Sequence, residues 1–397
     1  MRTLVLLICG LVLVAAPHLR AGAQPPPPAL LVLHDAGRQL TLLDGRDGAA
    51  RATRRLPTRL DGPPQVSPDG ARLYWGTPQG EIVQLALPGL EVAAQTPAGV
   101  GPGTPLLALS GDGRWLLAAG ARHAFAQVLD AALQPVRRIA IATPDGRAQG
   151  RAAQVLTLAG QRSWVLALDA LRELWEISYD PSAPPIYDGL VHDYRMGEAL
   201  PRSGFLGVRR TPLPAPLPDV LVPGGTRFAL GSERCQPPAP CTLRLLHLDT
   251  RSQIAAVALD GTPSPGASAA WMQGGRLRLA LAGLAHAAAP LDLPRMQPGT
   301  DAALPARARR ILHDGDSAAL WLQREDGAWL KLRTDTLQAQ AELEATPHTR
   351  LLMLQGAPVL VTPGAEGTVS LRDPATLQER LRLPFSGLQG AWAVNPG

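Results

Sequence analysis

The sequence predicts an all-β fold, an eight-bladed β-propeller of four-stranded blades closed into one ring. Three observations predict it. A phrase recurs along the chain: a hydrophobic lead-in, a Pro/Gly-Asp-Gly turn, an apolar strand, a second turn, and a strand ending in Asp. Its copies begin about 40 to 50 residues apart, the length of a four-stranded blade. Seven copies are complete, and the incomplete one at the N-terminus, LLVLHDAGRQLTLLDGRDGAARATRRL, can take its missing strand from residues 385–394. Two open β-sandwiches would use the same strands but give no reason for the period.

Taken in order, residues 1–23 read as a secretory signal peptide. Arg2 supplies the positive start, Leu4 begins an apolar run, and Ala21-Gly22-Ala23 is a small-x-small cleavage site. The apolar run is shorter than the roughly 20 residues of a membrane-spanning helix, so no transmembrane segment is expected after cleavage; an uncleaved anchor is the competing reading. Residues 24–28 form a stiff proline-rich spacer, and residues 29–397 are expected to be a single β-propeller domain. Export places the mature chain in the periplasm.

The clearest copies begin at Val66 (VSPDGARLYWGTPQGEIVQLAL) and Leu109 (LSGDGRWLLAAGARHAFAQVLDAALQPVRRIAI). Weaker ones begin near Ala153, Asp219, Ala269, Arg309 and Arg350. Asp-Gly between short apolar strands marks a tight hairpin, because both residues tolerate the positive φ that such a turn requires. One step, from Ala153 to Asp219, is stretched by an irregular insertion at about residues 179–210. That insertion holds the densest chemistry in the chain. His192, Asp193, Tyr194, Arg195 and Glu198 follow Tyr187 and Asp188, and Arg209 and Arg210 come after. Imidazole, carboxylates, phenols and guanidiniums on a Pro/Gly-laced segment point to a binding or proton-transfer site, with a surface loop of mutually paired charges as the plainer reading.

After signal removal two cysteines remain, Cys235 and Cys241, an even pair around the short loop CQPPAPC. An exported protein can keep that disulfide, whereas zinc would need further ligands that no second CxxC supplies. No CxxCH occurs, so no covalent c-type haem is expected. The net charge of +5 is almost all arginine, with Lys331 the only lysine. Arginine matches carboxylates bidentately. Nucleic acid is not the expected partner, since the chain is exported and its aromatics lie in repeat strands rather than among basic clusters.

The segment ELWEISYDPSAPPIYDGLVHDYRMGE, from Glu173, resembles a segment of the cytochrome d1 haem-domain family, the propellers of cytochrome cd1 nitrite reductases and their haem d1 biosynthesis relatives. It looks most like the members without a cytochrome c domain that are encoded with haem d1 assembly factors. The resemblance is close over 173–210 and collinear but diffuse over most of the mature chain. It implies an eight-bladed ring that binds haem d1 or a d1-type tetrapyrrole precursor and acts in haem d1 biosynthesis or maturation for nitrite reductase, in denitrification. It also implies periplasmic partners, either haem d1 assembly proteins or the reductase. His192 would be an axial ligand or proton donor, with Glu198 as a second acid or base and Asp193 or Glu198 orienting the imidazole. Tyr194, Arg195, Arg209 and Arg210 would hold the macrocycle and its carboxylates. His34, at what would be the end of an inner strand in LLVLHDAG, and His313, in RRILHDGDS, are the other expected iron donors.

The chain also departs from the family. The stretch that carries the iron-ligating histidine in the nitrite reductases reads LDGPPQVSPDG here, without histidine, and Ser264 stands where a distal histidine is expected. A nitrite reductase activity of its own is therefore not expected. The alternative function is a degenerate propeller kept as a protein-interaction scaffold in a periplasmic haem-assembly complex.

Overall fold

The computed structural model describes residues 28–187, 201–235, 240–293, 295–298, 303–314 and 318–394. Its strands form eight four-stranded antiparallel sheets arranged as the blades of a propeller. Seven blades are contiguous in sequence: 61–97, 106–140, 152–212, 219–259, 261–298, 310–343 and 350–388. These are blades 2 to 8. Blade 1 holds Ala29–His34, Gln39–Asp44 and Ala50–Arg55, and its remaining strand is Gly390–Val394 from the far end of the chain. Leu31 pairs with Trp392 and Leu33 with Gly390. The closing strand is thus shorter than the 385–394 expected, because Phe385 belongs to the outermost strand of blade 8, Glu379–Leu388, where it pairs with Gly367.

Alternation builds the core. Successive residues of a strand face opposite sides of its sheet, so each blade presents one apolar row to the blade before it and another to the blade after. In blade 2, Leu73 and Trp75 pack toward blade 1 while Tyr74, between them, packs toward blade 3. The buried residues accordingly form eight clusters, one at each blade interface round the ring. The fourth strand of a blade is mostly exposed, as in Ala50–Arg55 and Pro135–Ala140, and forms the rim. First strands touch the first strands of neighbouring blades and surround the axis.

Two turn types repeat. Between first and second strands, Ser67 Oγ donates to Asp69 Oδ1 at 2.5 Å and Gly70 takes φ 66°; Ser110, Asp112 and Gly113 repeat the device one blade later. This is the Asp-Gly signal that made the period visible. Between third and fourth strands every blade carries a residue with φ between 52° and 71°: Gly48, Leu90, Leu133, Leu206, Arg251, Met296, Leu337 and Leu377. Leucine is strained in this region, and each of these leucines is buried, which offsets the strain. Blade 4 keeps the turn residue even though its turn is interrupted. Leu206 N–H donates to Ser178 O at 2.7 Å, as Leu90 N–H donates to Ala86 O at 2.8 Å. The insertion is therefore spliced into an intact turn between Ser178 and Leu206. Arg209 and Arg210 lie beyond it, on the rim strand Val208–Pro212.

Cys235 and Cys241 are bonded, with Cα atoms 5.3 Å apart, across the hairpin between the second and third strands of blade 5. Among the described residues no helix is long and apolar enough to cross a membrane.

Candidate functional site

Strand direction gives the ring two distinct faces. The upper face carries the links between blades and the hairpins joining second to third strands. The lower face carries the other two sets of turns. In blade 7, Arg310 opens the first strand at the upper end opposite Gln323, and Asp314 closes it at the lower end opposite Ala319.

This sorting separates the sequence-predicted residues. His192, Tyr194, Arg195 and Glu198 lie outside the described residues. The chain leaves for that segment and returns from it at the lower face of blade 4, where Ile186 and Arg202 exchange backbone hydrogen bonds of 2.9 Å. Arg209 borders a groove there with Tyr187, Asp249 and Arg251, and has no ion-pair partner among the described residues. Arg210 is engaged inside blade 4. Its guanidinium donates to Ala142 O at 2.9 Å and to Glu173 Oε2 at 3.1 Å and lies 4.6 Å from the centre of the Trp175 ring. Next to it, buried Glu176 accepts from Ser163 Oγ at 2.8 Å and from both terminal nitrogens of Arg227, tying blades 4 and 5 together.

His313 is also at the lower end, on the first strand of blade 7, half-buried, and burial holds its imidazole below the ordinary value. His34 is at the upper end. It closes the second strand of blade 1 rather than the innermost one, because the C-terminal strand takes the axial place. Its Nε2 lies 3.0 Å from Thr41 Oγ1 and its ring 5.0 Å from that of Phe385, and burial lowers its pKa, with Asp35 acting the other way. His34 and His313 thus occupy opposite ends of the ring.

The upper mouth, beside blades 7 and 8, holds three arginines without an ion-pair partner among the described residues. Arg309 and Arg310 stand where the chain enters the first strand of blade 7, and Arg350 opens that of blade 8. All three line a cavity of about 220 Å³ with Ala267, Gln323, His348 and Thr349. A neighbouring cavity of about 560 Å³ shares His348 and Arg350 and reaches Ala36 in the hairpin after His34. No carboxylate among the described residues lines either cavity. Burial lowers the Arg310 pKa, and Arg350 and Arg309 lower it further. The two places where the sequence lacks an expected histidine, the stretch LDGPPQVSPDG and Ser264, start at this same end. Asp61, at the start of LDGPPQVSPDG, accepts from Thr104 Oγ1 at 2.6 Å, and Ser264 Oγ donates to Asp219 at 2.9 Å.

No protein-family model matches the chain. It is 26% identical over 378 residues to the dihydro-heme d1 dehydrogenase of Pseudomonas aeruginosa, a match covering 92% of this chain and 70% of that protein. The chain is a homologue of that dehydrogenase. A solved structure of dihydro-heme d1 dehydrogenase NirN in complex with DHE has the same fold, with a TM-score of 0.75 at 24% identity over 94% of this chain and 78% of the other. Apo AztD from Citrobacter koseri, at a TM-score of 0.51 and 12% identity, covers 92% of this chain and 97% of its own, and shares the ring alone.

The arginines of the mouth are residues that sequence reasoning passed over. Arg309 and Arg350 marked the start of two repeats and nothing more. The available signal was register: the other first strands begin with Asp61, Leu106, Ala152, Asp219, Gly261 and Gly390, and only blades 7 and 8 begin with arginine.

Proposed function

We propose that this homologue of dihydro-heme d1 dehydrogenase is exported through the signal at residues 1–23, binds haem d1 or a d1-type precursor, and acts in haem d1 biosynthesis or maturation for nitrite reductase. The observation that carries the reading is the 26% identity to the dehydrogenase across nearly the whole chain. The Cys235–Cys241 bond supports an oxidising compartment.

The upper mouth fits the ligand class. A d1-type ring brings several carboxylates and an iron. The mouth offers guanidiniums without carboxylate partners, and at its rim the imidazoles of His348 and, one hairpin away, His34. When bound, the iron supplies the redox chemistry of the macrocycle. The residues of the mouth hold and orient it.

The test is genetic. Deleting the gene in its host should leave nitrite reductase with little or no haem d1, measured in acid-acetone extracts of the purified enzyme, and the intact gene should restore it. A reductase with its full haem d1 content in the deletion strain would contradict the proposed role.

A further inference from the structure

We infer that Arg38, Arg54, Arg55 and Arg59, on the outer edge of blade 1, form a docking surface for a protein with an acidic face that exchanges the tetrapyrrole with this chain. The assignment rests on the reading that the chain binds such a ring. Charge is unevenly spread along the sequence. Six arginines and three aspartates lie between Asp35 and Leu60, so this stretch carries +3 of the chain's +5. Arg2 and Arg20 supply the other two, and the remaining residues balance. Within blade 1 the excess gathers at one end. Arg46 and Asp47 share the lower turn, and Arg51 pairs with Asp44. The upper corner is left with four arginines against Asp35 alone.

Backbone pairing brings the four together. Gln39 pairs with Arg55 and Leu40 with Arg54 across the two outer strands. Leu56 N–H donates to Arg38 O and Leu60 N–H to Gly37 O, both at 2.8 Å, so hairpin, rim strand and link to blade 2 meet at this corner. A Cβ on Gly37 would stand 3.0 Å from Cγ of Arg59, so the stem of that arginine lies across the hairpin. All four side chains are exposed. Arg55 reaches Asp35 at 3.1 Å, a solvent-exposed pair that neutralises little, and the other three have no ion-pair partner among the described residues. Asp61, the next acid along the chain, is engaged with Thr104.

The corner adjoins the mouth. Ala36, in the same hairpin as Arg38, lines the cavity of about 560 Å³ that opens there, so a protein seated on the corner lies beside that opening. A ring can then pass between the two proteins without crossing open solvent. Guanidinium forks match surface carboxylates, and a patch of one sign speeds encounter with a partner of the other. A lipid surface fits less well. None of the exposed large apolar side chains, Val92, Val136, Tyr187, Ile254 and Met272, belongs to blade 1, so nothing at the corner is suited to enter a bilayer.

The experiment changes Arg38, Arg54, Arg55 and Arg59 together to Gln in the host gene, and to Lys in a second strain, and measures haem d1 in the purified nitrite reductase. The Gln strain is expected to show a roughly fivefold loss of haem d1, because charge at an interface rim governs encounter. The Lys strain keeps the charge and should recover most of that loss. The purified Gln variant should bind haem d1 with the wild-type Kd and melt within about 2 °C of wild type, since exposed charges contribute little to stability. Wild-type haem d1 content in the Gln strain, or a Gln variant that has itself lost affinity for haem d1, would overturn the docking surface. So would adsorption of wild type, but not of the Gln variant, to phosphatidylglycerol vesicles at physiological salt, which would assign the corner to lipid. Full haem d1 content in a strain lacking the gene, or failure of wild type to bind haem d1, would instead overturn the functional reading beneath it.

Discussion

Two imidazoles at opposite ends of the ring bear on acid stability in the same direction. His34, against Phe385 and Thr41, and His313, on the first strand of blade 7, are each held below the ordinary value of 6.5 by burial. The folded protein therefore binds fewer protons at these sites than the unfolded chain does just below that value. Their contribution is complete above about pH 6.5 and is lost as the pH falls through 6.5 toward the folded pKa. Urea unfolding between pH 7.5 and 5 should show stability falling with pH below about 6.5, and His313→Gln should flatten part of that slope. An unchanged slope in the variant would mean that His313 titrates as it does in the unfolded chain.

The repeated turn and the closing strand are the elements on which the ring depends. Gly390–Val394 completes blade 1, and Trp392 meets Trp75 of blade 2 edge-on at 4.9 Å, so one strand supplies both a hydrogen-bonded edge and part of an interface core. Trp392→Ala should cost about 2–4 kcal/mol, somewhat less than for a fully buried aromatic because Trp392 is only partly buried, read from urea melts. Truncation after Gln389 removes the strand and leaves the second strand of blade 1 as an open edge, so aggregation is expected. A truncated chain that stays monomeric and melts with the wild type would show that the ends need not pair. The period that placed these elements was legible because glycine turns, clearest as Asp-Gly in blades 2 and 3, and apolar strands recur within local stretches of sequence. The exact limit of the closing strand was not, because Phe385 and Trp392 have similar character and only pairing partners distant in sequence tell them apart.

At the scale of the molecule, the ring separates what the sequence places together and joins what it separates. Arg209 and Arg210 follow the insertion, yet one borders a lower groove and the other is bound within blade 4 to Glu173 and Trp175. Arg309 and Arg310 belong to one repeat and Arg350 to the next, and the packing of blade 7 against blade 8 sets them at one mouth. A reading by local density of chemistry favours the insertion, and a reading by register favours the mouth. The fold was therefore open to sequence reasoning in a way that the upper site was not. The similarity to dihydro-heme d1 dehydrogenase makes a d1-type tetrapyrrole the ligand to test, and the upper mouth is its proposed place. The most direct measurement is a titration of the purified mature chain with haem d1, followed by its absorption spectrum, with ordinary haem b as the comparison. The account predicts a saturable spectral shift at micromolar haem d1 and a weaker one with haem b. Folded protein that leaves the haem d1 spectrum unchanged at those concentrations would contradict it and favour a scaffold role in haem assembly.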